Sequence, residues 1–153
     1  MDEVEAYLSL GSNLGDRGAN LEEALSRLDR NPSIDVLAVS KVIETRAQGE
    51  WDDSGRGDFL NCCARISTSL SAEGLLDAVK SVETVMGRTG GERYDESGTR
   101  IYSDRPIDID ILLYGEFRLS TPRLTVPHPR MKERDFVMIP LLEIYSGPSD
   151  LLG

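Results

Sequence analysis

The stretch Ile107-Asp108-Ile109-Asp110-Ile111 alternates strictly between isoleucine and aspartate. Such alternation reads as a β-strand, in which successive side chains point to opposite faces. The isoleucines share one face, as apolar as any core strand, and Asp108 and Asp110 share the other. Few chains can satisfy both demands: the isoleucines need a hydrophobic layer beneath them, and the carboxylates need solvent or a positive partner above. Like charges so close repel unless something positive lies between them. A hard cation with oxygen ligands answers that, because Mg²⁺ takes one or two carboxylates and completes its shell with water and substrate phosphates. The same pattern also suits a solvated edge strand carrying two ordinary aspartates, so the rest of the chain has to decide.

Charge narrows the choice. A net charge of −10 argues against a general nucleic-acid binder, which needs a basic surface to neutralise phosphates. No apolar run approaches membrane-spanning length, and the acidic start passes straight into an apolar strand without a signal-peptide pattern. Cys62 and Cys63 are adjacent, which argues against a disulfide between them, and a single histidine argues against zinc. With 153 residues the expectation is one domain, 1–153, acting as a monomer in the cytoplasm with no nucleic-acid or membrane partner.

The remaining elements follow in order. Residues 4–10 form a short apolar strand that runs into the glycine turn Gly11-Ser12-Asn13-Leu14-Gly15-Asp16. Residues 20–28 place Leu21, Ala24, Leu25 and Leu28 on one helical face, and 34–44 read as a second strand. A long loop with three glycines and the only tryptophan leads to a strand at 59–68, in which Asn61 is unusual by propensity. Ser71 is placed to cap a helix over 72–86. A glycine-rich, arginine-bearing segment from Gly87 then feeds the aspartate strand, and residues 116–119 suit one further strand. Beyond it Arg123, His128, Arg130, Lys132 and Arg134 crowd together in an otherwise acidic chain, with Pro127 and Pro129 stiffening the backbone around the histidine. Residues 136–144 close the pattern as an apolar helix. Arginine suits bidentate phosphate recognition, and arginines converging on paired carboxylates are the layout of phosphoryl chemistry.

Four blocks together resemble the 6-hydroxymethyl-7,8-dihydropterin pyrophosphokinase family. They are Tyr7-Leu8-Ser9-Leu10-Gly11-Ser12-Asn13-Leu14-Gly15-Asp16; Asp58-Phe59-Leu60-Asn61 with Glu83 and Gly87-Arg88; Arg105-Pro106-Ile107-Asp108-Ile109-Asp110-Ile111-Leu112; and Arg123-Leu124-Thr125-Val126-Pro127-His128-Pro129 running on to Arg134-Asp135-Phe136. Their order and spacing span nearly the whole chain. The resemblance implies a ferredoxin-like α+β fold: an antiparallel sheet with helices packed on it and long active-site loops. It implies transfer of the β,γ-diphosphate of ATP to the hydroxymethyl group of the dihydropterin, releasing AMP, in folate biosynthesis.

Residue roles come with the resemblance. Asp108 and Asp110 match the ligands of two Mg²⁺ ions, and Arg88 and Arg105 match arginines that steady the transferred diphosphate. Glu83, Ile111, Arg123, Thr125, His128 and Arg134 match ATP contacts. Gly11, Thr45, Arg46, Phe59, Asn61, Tyr102 and Phe136 match the pterin site, with the two phenylalanines stacking on the ring and Asn61 reading its edge. The chain departs from the family pattern where Tyr102-Ser103-Asp104 stands in place of Trp-Gly-Pro, and where Arg46 takes a position that is commonly proline. The readings that compete are another metal-dependent phosphoryl or nucleotidyl transferase and a nucleotide-sensing binding module without chemistry.

Overall fold

The computed structural model describes residues 3–45, 59–87, 93–94, 100–101, 106–148 and 151. Its centre is an antiparallel sheet built from β1 (Val4–Ser12), β2 (Ile34–Val39), β3 (Ile43–Thr45), β4 (Phe59–Thr68) and β7 (Asp108–Tyr114). The spatial order is β2-β4-β1-β7, with β3 also paired to β4. Two short hairpins, β5 (Arg93–Tyr94) with β6 (Arg100–Ile101) and β8 (Leu119–Ser120) with β9 (Thr125–Val126), stand apart from it. Helices α1 (Arg17–Asp29) and α2 (Ala72–Val85) complete a β-α-β-β-α-β path, and the resulting fold is ferredoxin-like α+β. A third helix, α3 (Asp135–Ile144), follows a single 3₁₀ turn at Met131–Glu133.

The sheet is covered on both faces. One side packs Ala6, Leu8, Leu10, Cys62, Ala64, Ile66, Ile107, Ile109 and Ile111 against Leu21, Ala24 and Leu28 of α1 and Leu75, Val79 and Val82 of α2. The other packs Tyr7, Cys63, Leu112 and Leu113 against Met131 and against Val137 and Leu141 of α3. Tyr7 also anchors the chain after α3: its hydroxyl accepts from Ser146 N at 2.9 Å and its ring lies 5.2 Å from that of Tyr145. Both cysteines are buried and free, and burial pushes their thiols up to about 11 for Cys62 and about 12 for Cys63. They are core residues, as the adjacent pair suggests, rather than reactive thiolates.

Three element boundaries depart from expectation, each for a local reason. The first helix begins at Arg17 because Asp16 caps it, its side chain accepting from Ala19 N at 3.1 Å. The continuous strand expected over 34–44 is two strands. Its register against β4 shifts between Val36 and Ala38, and at Ser40 the side chain accepts from Cys63 N at 2.8 Å, so a hydroxyl joins the backbone in the pairing. The first strand reaches Ser12, further into the glycine turn than the sequence suggests.

The alternation in β7 has the expected consequence. Ile107, Ile109 and Ile111 are 0%, 5% and 3% exposed, whereas Asp108 and Asp110 are half-buried on the other side. Replacing Ile109→Asp puts a carboxylate into the layer between sheet and helices. We expect a loss of about 4 kcal/mol or more, enough to abolish cooperative melting in a domain of ordinary stability, as read by thermal denaturation under circular dichroism.

Candidate active site

The part of the α3-side face that the helix leaves uncovered forms an open cleft lined by Ser9, Gly11, Thr45, Phe59, Asn61, Asp108, Asp110, Arg134 and Phe136. Strand register explains why these residues meet. Gly11 of β1 stands opposite Asn61 of β4 on one side and Asp108 of β7 on the other, and Ser9 stands opposite Asp110. Thr45 pairs with Phe59, two residues along β4 from Asn61. Phe136 enters from the first turn of α3, and Arg134, the residue that caps that helix, sets its guanidinium 5.7 Å from the Phe136 ring centroid.

Within the cleft, Asn61 is held in one orientation. Its Nδ2 donates to Thr45 Oγ1 at 2.7 Å, which turns Oδ1 towards Gly11. A Cβ at position 11 would lie 2.9 Å from that oxygen and 3.4 Å from Phe59 Cδ1. Glycine is thus required here for close approach. The cleft therefore offers an amide acceptor, a hydroxyl and two phenylalanine rings at one end and two carboxylates at the other, with Arg134 over the Phe136 ring.

The carboxylate end fits a divalent cation of the Mg²⁺ kind. Among the described residues no group of three or more His, Cys, Asp and Glu side chains could cage a metal by itself. Two carboxylates on one strand face, open to a cleft, match an ion that keeps several ligand positions for water and phosphate oxygens.

The remaining described candidates do not line this cleft. His128 donates its backbone N–H to Leu112 O at 2.8 Å, and its Nδ1 accepts from Arg130 N at 3.2 Å. That bond leaves Nε2 as the protonated nitrogen of a neutral ring. Burial, followed by the charges of Arg134 and Arg130, pushes the imidazole below its ordinary value. Thr125 is exposed on β9. Arg123 is held against α2, at 3.3 Å from Glu73 and 2.5 Å from Asp77, and those carboxylates raise its pKa further. The Ile111 side chain is in the core beneath the sheet, so only its backbone is left to meet a ligand. Glu83 is buried, its Oε2 accepting from Ile109 N at 2.8 Å. Arg46, Arg88, Tyr102 and Arg105 lie outside the described residues. Ser9 was not singled out from the sequence; its signal was its position two residues before Gly11 on the same strand face.

An α+β sheet carrying carboxylates, an arginine and two phenylalanine rings in one cleft suits an enzyme of phosphoryl transfer to a flat substrate. Comparison with known proteins agrees. A family model, 7,8-dihydro-6-hydroxymethylpterin-pyrophosphokinase (HPPK), matches residues 7–146. The 2-amino-4-hydroxy-6-hydroxymethyldihydropteridine pyrophosphokinase of Bacillus subtilis is 40% identical over 139 residues, covering 91% of this chain and 77% of that protein. Its counterpart from Methylorubrum extorquens is 40% identical over 150 residues, covering 98% and 87%. The mitochondrial folate synthesis bifunctional protein of Pisum sativum is 44% identical over 146 residues, and there the chain spans only 26% of the relative. A crystal structure of Plasmodium falciparum HPPK-DHPS shares the fold, with a TM-score of 0.67 at 15% identity over 99% of this chain and 45% of that one. The chain belongs to the 7,8-dihydro-6-hydroxymethylpterin-pyrophosphokinase family. The activity of that family is diphosphate transfer from ATP to hydroxymethyldihydropterin in folate biosynthesis.

His128 supplies a pH test, being the only histidine. Its folded pKa lies below the unfolded one, so as pH falls the unfolded chain takes up the proton first and stability drops. We expect the melting temperature to fall as pH is lowered from about 7.5 to about 5.5, the loss setting in near the unfolded value of about 6.5. His128→Gln should flatten that part of the profile in differential scanning calorimetry.

Proposed function

We propose that this cleft carries out the transfer with the pterin at its aromatic end and the ATP phosphates at its carboxylate end. The observation that carries the reading is that Asp108 and Asp110 open into the same cleft as Asn61, Phe59 and Phe136. The pterin is flat and has donors and acceptors along one edge. Phe59 and Phe136 supply faces for stacking, and Asn61, fixed by Thr45, presents Oδ1 to ring N–H groups. An amide held by a neighbour loses little freedom on binding, which favours a specific ligand.

Asp108 and Asp110 would hold Mg²⁺, two ions in our reading, which would supply positive charge to offset that of the transferred phosphates. Arg134 stands at the border between the two ends of the cleft, where a cation meets the transferred group and stays ordered against Phe136. Arg123, Thr125 and His128 serve the nucleotide side, with the neutral His128 ring donating from Nε2. Arg88 and Arg105, by their place in the family motifs, steady the transferred diphosphate. The pterin hydroxymethyl oxygen then bonds to the β-phosphorus as the bond from that phosphorus to the α,β-bridging oxygen breaks. The alcohol proton is lost, and AMP leaves with the bridging oxygen. The cleft's contribution is position: two substrates held with the reacting atoms adjacent remove much of the entropic barrier. Adjacent buried free cysteines support a reducing compartment such as the cytoplasm, and among the described residues no helix is long and apolar enough to cross a membrane.

The deciding assay supplies ATP, Mg²⁺ and hydroxymethyldihydropterin and identifies the nucleotide product. AMP formed in step with the pterin is expected; ADP, or no pterin-dependent product, contradicts the reading. Asp110→Ala should lower kcat by about a thousandfold, ~4 kcal/mol of transition-state stabilisation, while pterin affinity of the nucleotide-loaded protein changes far less. Unchanged turnover removes the metal assignment. Gly11→Ala should weaken pterin binding by about tenfold, ~1.4 kcal/mol, because the new methyl displaces the Asn61 amide; isothermal titration calorimetry reads it directly.

A further inference from the structure

Glu83 is 3% exposed, near the C-terminal end of α2, in a last turn with no basic residue. That end of a helix disfavours negative charge, and burial disfavours it more. A carboxylate kept in such a place needs a reason. One of its partners supplies one: Oε2 accepts from the backbone N–H of Ile109 at 2.8 Å, in the peptide unit that joins Asp108 to Ile109. Among the described residues β7 is the last strand of the sheet, with β1 as its one sheet neighbour. Amides on the outer edge of such a strand have no ladder partner, and the Ile109 amide is turned to the helix instead. The bond also ties together the two sides of segment 88–105. At its near end Gly87 has a φ of +102°, and a Cβ there would stand 3.9 Å from Pro106 Cγ at the far end.

We propose that Glu83 is a positioning residue for the diphosphate transfer. By holding the β7 backbone at Ile109 it sets the direction of the flanking Asp108 and Asp110 side chains, and so the metal affinity of the pair. This rests on the metal reading of those two aspartates. The mechanism is mechanical. In a strand the peptide plane at Ile109 sets the orientation of the residues on either side. Partners that orient metal ligands without touching the metal are known to govern affinity.

Two conservative variants separate length from charge. Glu83→Gln keeps the reach and an acceptor oxygen but loses the charge. Glu83→Asp keeps the charge but is one methylene short of Ile109. The measurements are Mn²⁺ binding by electron paramagnetic resonance with α,β-methylene ATP present, the Mg²⁺ requirement for AMP formation, pterin affinity by fluorescence, and exchange of the Ile109 amide proton by NMR. We expect Glu83→Gln to keep the Ile109 amide protected and to hold Mn²⁺ more tightly than Glu83→Asp does. Glu83→Asp should weaken Mn²⁺ binding and raise the Mg²⁺ requirement by about tenfold, with faster exchange at Ile109 and unchanged pterin affinity. The opposite order, with Glu83→Gln impaired and Glu83→Asp intact, overturns the proposal in favour of a charge effect. So does an unchanged Mn²⁺ affinity in Glu83→Asp once the Ile109 amide is seen to exchange freely. If the unmodified protein binds no Mn²⁺ with the nucleotide, the metal reading falls and the Glu83 assignment falls with it. If only the Glu83 variants are indifferent, the metal reading stands alone.

Discussion

The burial of Ile107, Ile109 and Ile111 under the sheet is the constraint from which the cleft takes its form. Each buried isoleucine stabilises the fold by about 1.5–3 kcal/mol. Two carboxylates on the opposite face, roughly 7 Å apart along a strand, repel by only about 2 kcal/mol at an effective dielectric constant of 20. Apolar burial wins, and Asp108 and Asp110 are kept side by side in spite of their repulsion. Antiparallel pairing with β1 then brings Ser9 and Gly11 beside them, and pairing of β1 with β4 adds Asn61 to the row. The site is thus a property of the sheet's register before it is a property of any loop.

Charge is distributed to suit that register. The chain is acidic as a whole, and its cations are held locally. Arg134 rests on Phe136, Arg123 is tethered to Asp77 and Glu73 of α2, and burial, followed by the charges of Arg134 and Arg130, lowers the pKa of His128. Exposed ion pairs such as those of Arg123 add little to stability, about 0–1 kcal/mol each. Their effect is to hold a guanidinium over one part of the surface until a more demanding anion arrives. Glu83 is the inverse case: a buried acidic residue bonded to the backbone of the strand that carries the aspartates.

Much of this was legible in the residue order. The period-two pattern of β7, the Ser71 cap of α2 and the α3 helix all declare themselves locally, and the structure bears them out. The row Gly11–Asn61–Asp108 was suggested by the family motifs, and the antiparallel register gives it a physical basis. What stayed hidden depends on distant partners. The break at Ser40 arises from a hydroxyl bonded to Cys63, 23 positions away. The bond between Glu83 and Ile109 joins a helix end to a strand edge, with no periodic signature in either. Ser9 has no unusual chemistry of its own and becomes part of the cleft only because Asp110 lies opposite. The early start of α1 was a matter of reading Asp16 as part of a turn rather than as a cap.

The central claim is that the carboxylate face of β7 is where metal and ATP phosphates meet the pterin. Its most direct measurement is the anomalous difference density of Mn²⁺ in crystals grown with α,β-methylene ATP and hydroxymethyldihydropterin. The account predicts manganese against the side-chain oxygens of Asp108 and Asp110, with the pterin ring between Phe59 and Phe136. Manganese bound elsewhere, or nucleotide phosphates remote from both aspartates, would contradict it.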